Sequence, residues 1–230
     1  MKNIQIRKIT LTAFLAALSS ILYYFVKFPL ALLIPIIPPF LEVNFSMVPV
    51  LLGGYMVGPI YGVVVVLIRF LIKLPSTHTA CVGEVADLLI GVLTVLITSI
   101  IYKKFRTKKG AFISLGCGVF TWVITSLFVN AFILIPTYIE LYFNGNVEGL
   151  VKMLSNIPGI TEQNYLMKYI IFGALPFNTI LSLIVCIITF VVYKPLHKLI
   201  SSVSDKLAFK EENEITEKEK KIKIKVNVKK

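Results

Sequence analysis

Long apolar runs, broken at intervals by short polar or basic segments, make up most of this chain. The runs are continuous rather than alternating, the pattern of helices surrounded by lipid and not of strands in a closed barrel. A crossing needs about 20 apolar residues, fewer where protein shields the helix. On that measure the sequence predicts an all-α membrane protein, a compact bundle of six transmembrane helices: Ile9 to Phe28, Ser46 to Val57, Ile60 to Leu74, Val82 to Tyr102, Ala111 to Tyr138 and Tyr165 to Tyr193. The second and third are short for lone spans and read as a tight hairpin turned at Gly58-Pro59. Pro29 to Leu41, with Pro35, Pro38 and Pro39, forbids a regular helix and is expected as an apolar loop at the outer mouth. Before the last span, a polar connection with Gly145, Gly149, Pro158 and Gly159 is expected to hold a short surface helix over Val147 to Leu154.

Composition agrees with that pattern. Hydrophobic residues are 57% of the 230, and a mean hydropathy of +0.84 exceeds what a water-soluble domain of this size could hide in its core. The formal charge of +12 points to topology rather than nucleic acid, because the basic residues cluster beside the apolar runs. Cytoplasmic loops collect Lys and Arg. Lys2, Arg7 and Lys8, the 103–109 cluster and the lysines after Val192 all fall on one side of a six-crossing arrangement, which predicts both termini in the cytoplasm of a prokaryotic cell membrane. The remaining cations are Lys27, Arg69, Lys73, Lys152 and Lys168. The expected organisation is a cytoplasmic N-terminus (1–8), a six-helix transmembrane domain (9–193) and a basic cytoplasmic tail (194–230) that is disordered or lies against anionic lipid. The first apolar run is too long for a signal-peptide core and is expected to be retained.

Catalytic signatures are missing. The chain has no GxxxxGK[ST] phosphate loop, HExxH, paired-cysteine metal site or GxSxG elbow. His78 and His197 are too isolated to form a metal site, and Cys81, Cys117 and Cys186 read as small buried hydrophobes. We therefore expect no enzyme activity, no catalytic residues, no metal and no cofactor.

Polar residues inside spans stand out, because an ionisable group at mid-helix costs roughly 2.5–3.5 kcal/mol and usually faces a cavity or partner. Glu84 and Asp87 share one face at the outer end of the fourth span, where they either line a site or cap the helix N-terminus. Asn130 and Asn178 are buried amides that want partners, across helices or on a ligand. Arg69 and Lys73 share a face of the third span, read as snorkelling to headgroups. Lys168 opens the last span on the outer side. Glu42 and Asn44 follow the proline-rich loop beside Phe40 and Phe45. An outward pocket with apolar walls and a few polar anchors suits a small planar or amphipathic ligand. Ala13 and Ala17, four apart on the first span, form a small-xxx-small face on which another helix could pack closely.

Several stretches together resemble the S components of energy-coupling factor (ECF) transporters, riboflavin group: FPLALLIPIIPPFLEVNFSMVPVLLGGYMVGPIYGVVVVLIRFLIK (Phe28 to Lys73), STHTACVGEVADLLIGV (Ser76 to Val92), NAFILIPTY (Asn130 to Tyr138) and LPFNTILSLIVCIITFVVYKPL (Leu175 to Leu196). The resemblance implies a six-helix subunit that captures riboflavin from outside and docks on a membrane-embedded T component served by two cytoplasmic ATPases. It makes Phe40, Asn44, Glu84, Asp87, Asn130, Lys168 and Asn178 the expected substrate-binding residues, Ala13 and Ala17 the docking face, and Pro29 to Leu41 a lid. Three positions depart from the family pattern: Met47 where an acidic residue is usual, Asp87 where asparagine is, and Leu181 where lysine is. An S component for another vitamin, a membrane enzyme using Glu84 and Asp87, and a secondary transporter are the competing readings; the last would show an internal repeat, and none is evident.

Overall fold

A computed structural model describes residues 2–77 and 80–196, with isolated positions beyond, so His78, His197 and most of the 194–230 tail lie outside the described residues. The elements are α1 (Lys2–Phe25), β1 (Lys27–Pro29), β2 (Glu42–Asn44), α2 (Met47–Met56), α3 (Pro59–Lys73), α4 (Val82–Lys104), α5 (Lys108–Phe143), α6 (Val147–Met153) and α7 (Tyr165–Leu196). Five of them, α1, α4, α5, α7 and the stretch Pro59–Ser76 containing α3, are long and apolar enough to cross a membrane. The second predicted span is a half-length helix. Its ten residues rise about 15 Å, half the thickness of a hydrocarbon core of about 30 Å. Protein surrounds it, since Met47 through Tyr55 are all buried. The sequence is therefore right about an all-helical bundle, while one of its six helices does not cross by itself.

Two departures from regular helix bring the polar groups together. In α5 a π turn covers Asn130–Leu134, and in α7 another covers Ile170–Ala174. Each ends two residues before a proline, Pro136 and Pro176. Proline inside a helix clashes with the carbonyl four residues earlier and donates no bond; widening the preceding turn by one residue relieves both problems. The side-chain hydroxyls within the spans mostly fold back onto their own helix, as Thr12 does to Lys8, Thr98 to Thr94, Thr121 to Cys117 and Thr189 to Val185. That is the cheap way to satisfy a hydroxyl where no water is present.

The proline-rich stretch forms no long helix. It runs as a short 3₁₀ turn (Leu30–Leu32) and bends between β1 and β2, which pair antiparallel with Lys27 opposite Asn44 and Pro29 opposite Glu42. This two-stranded ribbon was not expected from the sequence; Lys27 Nζ donates to Glu42 Oε2 across it at 2.7 Å. Asn156, beyond α6, donates to the carbonyl of Pro35 and ties the loop down. At the opposite end of the bundle, where α4 turns into α5 through the basic cluster, Tyr55, Tyr102 and Tyr193 pack ring on ring, with Tyr55 also hydrogen-bonded to Ser114. The bundle is sealed there and hollow at the other end.

Candidate substrate-binding site

The hollow follows from the short helix. Because α2 fills only the half of the bundle nearer the tyrosine cluster, the space between α4, α5 and α7 beyond its N-terminus stays open, a cavity of about 440 Å³. Its floor and walls come from Ile90 of α4, Trp122 and Leu134 of α5, and Phe177 and Leu181 of α7, while Phe40 and Leu41 of the loop approach from above. Phe40 is braced by an edge contact to Tyr138 and a stacked contact to Tyr169. Lys27, Glu42, Tyr23, Tyr24, Lys73 and Ser76 line it near the mouth.

Six of the seven expected binding residues, Phe40, Asn44, Glu84, Asp87, Asn130 and Asn178, line this one cavity. Lys168 does not. Its amine donates to the carbonyl of Pro158 and lies over the ring of Phe172, because its helix face turns to the α6 connection. Ala13 and Ala17 are exposed, next to exposed Phe14 and Leu18, so none of the described residues covers that face of α1.

The two amides form a reciprocal lock between α5 and α7. Asn130 of α5 accepts from Tyr169 Oη of α7 at 2.7 Å, and Asn178 of α7 accepts from Trp122 Nε1 of α5 at 3.1 Å. Each also donates to the carbonyl four residues back, Ser126 and Ala174 respectively. Interhelical bonding is thus present, and each amide keeps one N–H for a ligand.

On the opposite wall, Arg69 and Lys73 are not snorkelling. Arg69 is 2% exposed and pairs with Asp87 at 2.7 Å, while Lys73 meets Glu84 at 3.4 Å and lies over the ring of Tyr23. Cations four apart on α3 meet carboxylates three apart on antiparallel α4, so both rungs form on the inward faces. Charge matching between neighbouring spans was the signal for this ladder. Trp122, the single tryptophan in the chain, carried no pattern of its own. Of the three departures from the family pattern, Leu181 lines the cavity, Met47 is buried beside Gly91, and Asp87 holds Arg69.

A family model described as the ECF transporter substrate-specific component matches residues 7–193. The chain belongs to that family. As an S component it is a multi-pass membrane protein and a transport subunit, not an enzyme. It is 28% identical to the riboflavin transporter RibU of Staphylococcus aureus (strain TCH60), over 87% of this chain and 96% of that one. To the riboflavin transporter FmnP of Bacillus subtilis (strain 168) it is 24% identical, over 80% and 88% of the two chains. The solved S component of a bacterial ECF transporter superposes with a TM-score of 0.63 at 27% identity, covering 85% of this chain and 98% of that one.

Proposed function

We propose that this S component captures riboflavin from outside a prokaryotic cell and delivers it for ATP-driven uptake, with riboflavin as cargo rather than cofactor. The observation that carries the reading is the cavity: about 440 Å³, within the range of about 300–1,000 Å³ usual for small-molecule sites, with aromatic walls for a flat ring and amides for hydrogen bonds. Its relatives' names support the same ligand. The partners are a T component in the membrane, reached through the exposed Ala13 and Ala17 face, and two cytoplasmic ATPases. Both termini lie in the cytoplasm, which the basic turn between α4 and α5 supports.

Purified in detergent, the protein should be yellow, with a visible flavin spectrum at near one flavin per chain. A colourless protein that also leaves added riboflavin fluorescence unquenched would refute the flavin assignment and send the search to other vitamins.

The lock between the helices predicts a smaller effect. Trp122→Phe keeps a ring in the wall but removes the N–H that orients Asn178, a neutral hydrogen bond worth about 0.5–1.5 kcal/mol. Riboflavin affinity in a fluorescence titration should fall by roughly two- to tenfold. Unchanged affinity would mean that Asn178 is not oriented through Trp122.

A further inference from the structure

Arg69 is the centre of a buried network whose two ends reach the cavity, although Arg69 itself does not line it. Its Nη2 donates to Asp87 Oδ2 at 2.7 Å and its Nη1 to Ser46 Oγ at 2.6 Å. A guanidinium only donates, so the Ser46 hydroxyl must accept there and spend its own proton elsewhere. It donates to Asn44 Oδ1 at 2.6 Å, and the Ser46 backbone N–H reaches the same oxygen at 3.2 Å.

Donor direction therefore fixes the Asn44 amide. With Oδ1 doubly engaged, the Asn44 NH₂ is the group left over, and it has no partner among the described residues. Asp87 is likewise half used: Arg69 holds Oδ2, and Oδ1 has no partner among the described residues. Its side chain keeps 29% exposure and lines the cavity. One wall thus offers a fixed amide donor and a carboxylate acceptor, both oriented by the same buried cation.

We propose that Arg69 is a positioning residue that holds Asn44 Nδ2 and Asp87 Oδ1 as a donor–acceptor pair reading an imide edge, an N–H beside a C=O, on the bound ligand. The inference rests on the riboflavin reading: in riboflavin that edge is the pyrimidinedione N3–H with its neighbouring carbonyl. A carboxylate cannot donate, so a ligand without the N–H leaves Asp87 Oδ1 facing an unmatched edge.

The test compares riboflavin with 3-methylriboflavin, which keeps the ring and the ribityl chain and loses only the N3 proton. Titrations use the full chain in detergent, wild type and Asp87→Asn. Asparagine keeps a hydrogen-bond acceptor for Arg69, though not the opposite charge, and turns an NH₂ toward the ligand. Wild type should favour riboflavin over the methyl compound by at least about tenfold, the range of a hydrogen bond to a charged group. In Asp87→Asn that ratio should shrink by about tenfold. Any steric cost of the methyl group is common to both proteins and drops out of the comparison. Ser46→Ala removes the hydroxyl bond to Asn44 Oδ1 and leaves only the backbone N–H there, so it should weaken both flavins alike, because the carbonyl that Asn44 faces is common to them; it serves if Asp87→Asn does not fold. Equal wild-type affinity for the two flavins, a ratio unchanged in Asp87→Asn, or unchanged affinity for both flavins in Ser46→Ala overturns the proposal. Failure of wild type to bind riboflavin at all is a separate result, which removes the riboflavin reading and this inference with it.

Discussion

Asp87→Leu should destabilise the protein by about 3–5 kcal/mol, the cost typical of breaking a buried ion pair from one side. Arg69 has a side chain only 1% accessible, and Asp87 is the one carboxylate on it among the described residues. Its Nε already lies buried without a hydrogen bond, so the group has no spare partner to turn to when the carboxylate goes. What remains is a whole charge in an apolar bundle, and desolvation dominates the lost attraction. An unfolding titration in mixed detergent measures the loss, and Arg69→Met combined with Asp87→Leu should recover most of it, because neither charge is then stranded. A single variant as stable as wild type would mean that water reaches Arg69.

Gly62→Leu should also be damaging, by about 3 kcal/mol, the upper end for overpacking, because main chain on one side has nowhere to relax. A Cβ at Gly62 would lie 2.6 Å from Val95 Cγ2 and 3.1 Å from the Cα of Gly54. Val95 could change rotamer, but Gly54 is main chain of α2, and the α2–α3 hairpin is closed by the contact of these two glycines. Gly116 is the control, since nothing lies within 4 Å of its Cβ position on the outer face of α5. Gly116→Leu should therefore leave the midpoint of thermal aggregation, followed by size-exclusion chromatography, near that of wild type, while Gly62→Leu lowers it sharply. Equal effects of the two would place the damage in helix propensity or insertion rather than in packing.

Much of the site was legible before any fold was known, for one reason: polar groups in lipid are expensive, so they mark themselves. Glu84, Asp87, Asn130 and Asn178 stood out in apolar runs, and all four line the cavity. Lys168, expected from the resemblance alone, points elsewhere, since a residue at the mouth of a span can reach polar loop atoms and carries no such cost. Arg69 and Lys73 were misread for the opposite reason. Snorkelling satisfies a cation near a helix end, and only the register of α3 against α4 shows that carboxylates lie within reach of both cations.

By itself the sequence determined a helical membrane protein, its long apolar helices and the irregular proline-rich loop. Each of these depends on local composition and spacing, which a one-dimensional chain displays. Only the tertiary structure decided that α2 stops halfway and leaves a cavity beyond its end, that Trp122 and Tyr169 cross to the amides of the facing helix, and that Arg69 aims Asn44 and Asp87 from behind the wall. Those features depend on which residues of different helices meet, and helix rotation and depth follow from side-chain packing across the bundle rather than from any single span.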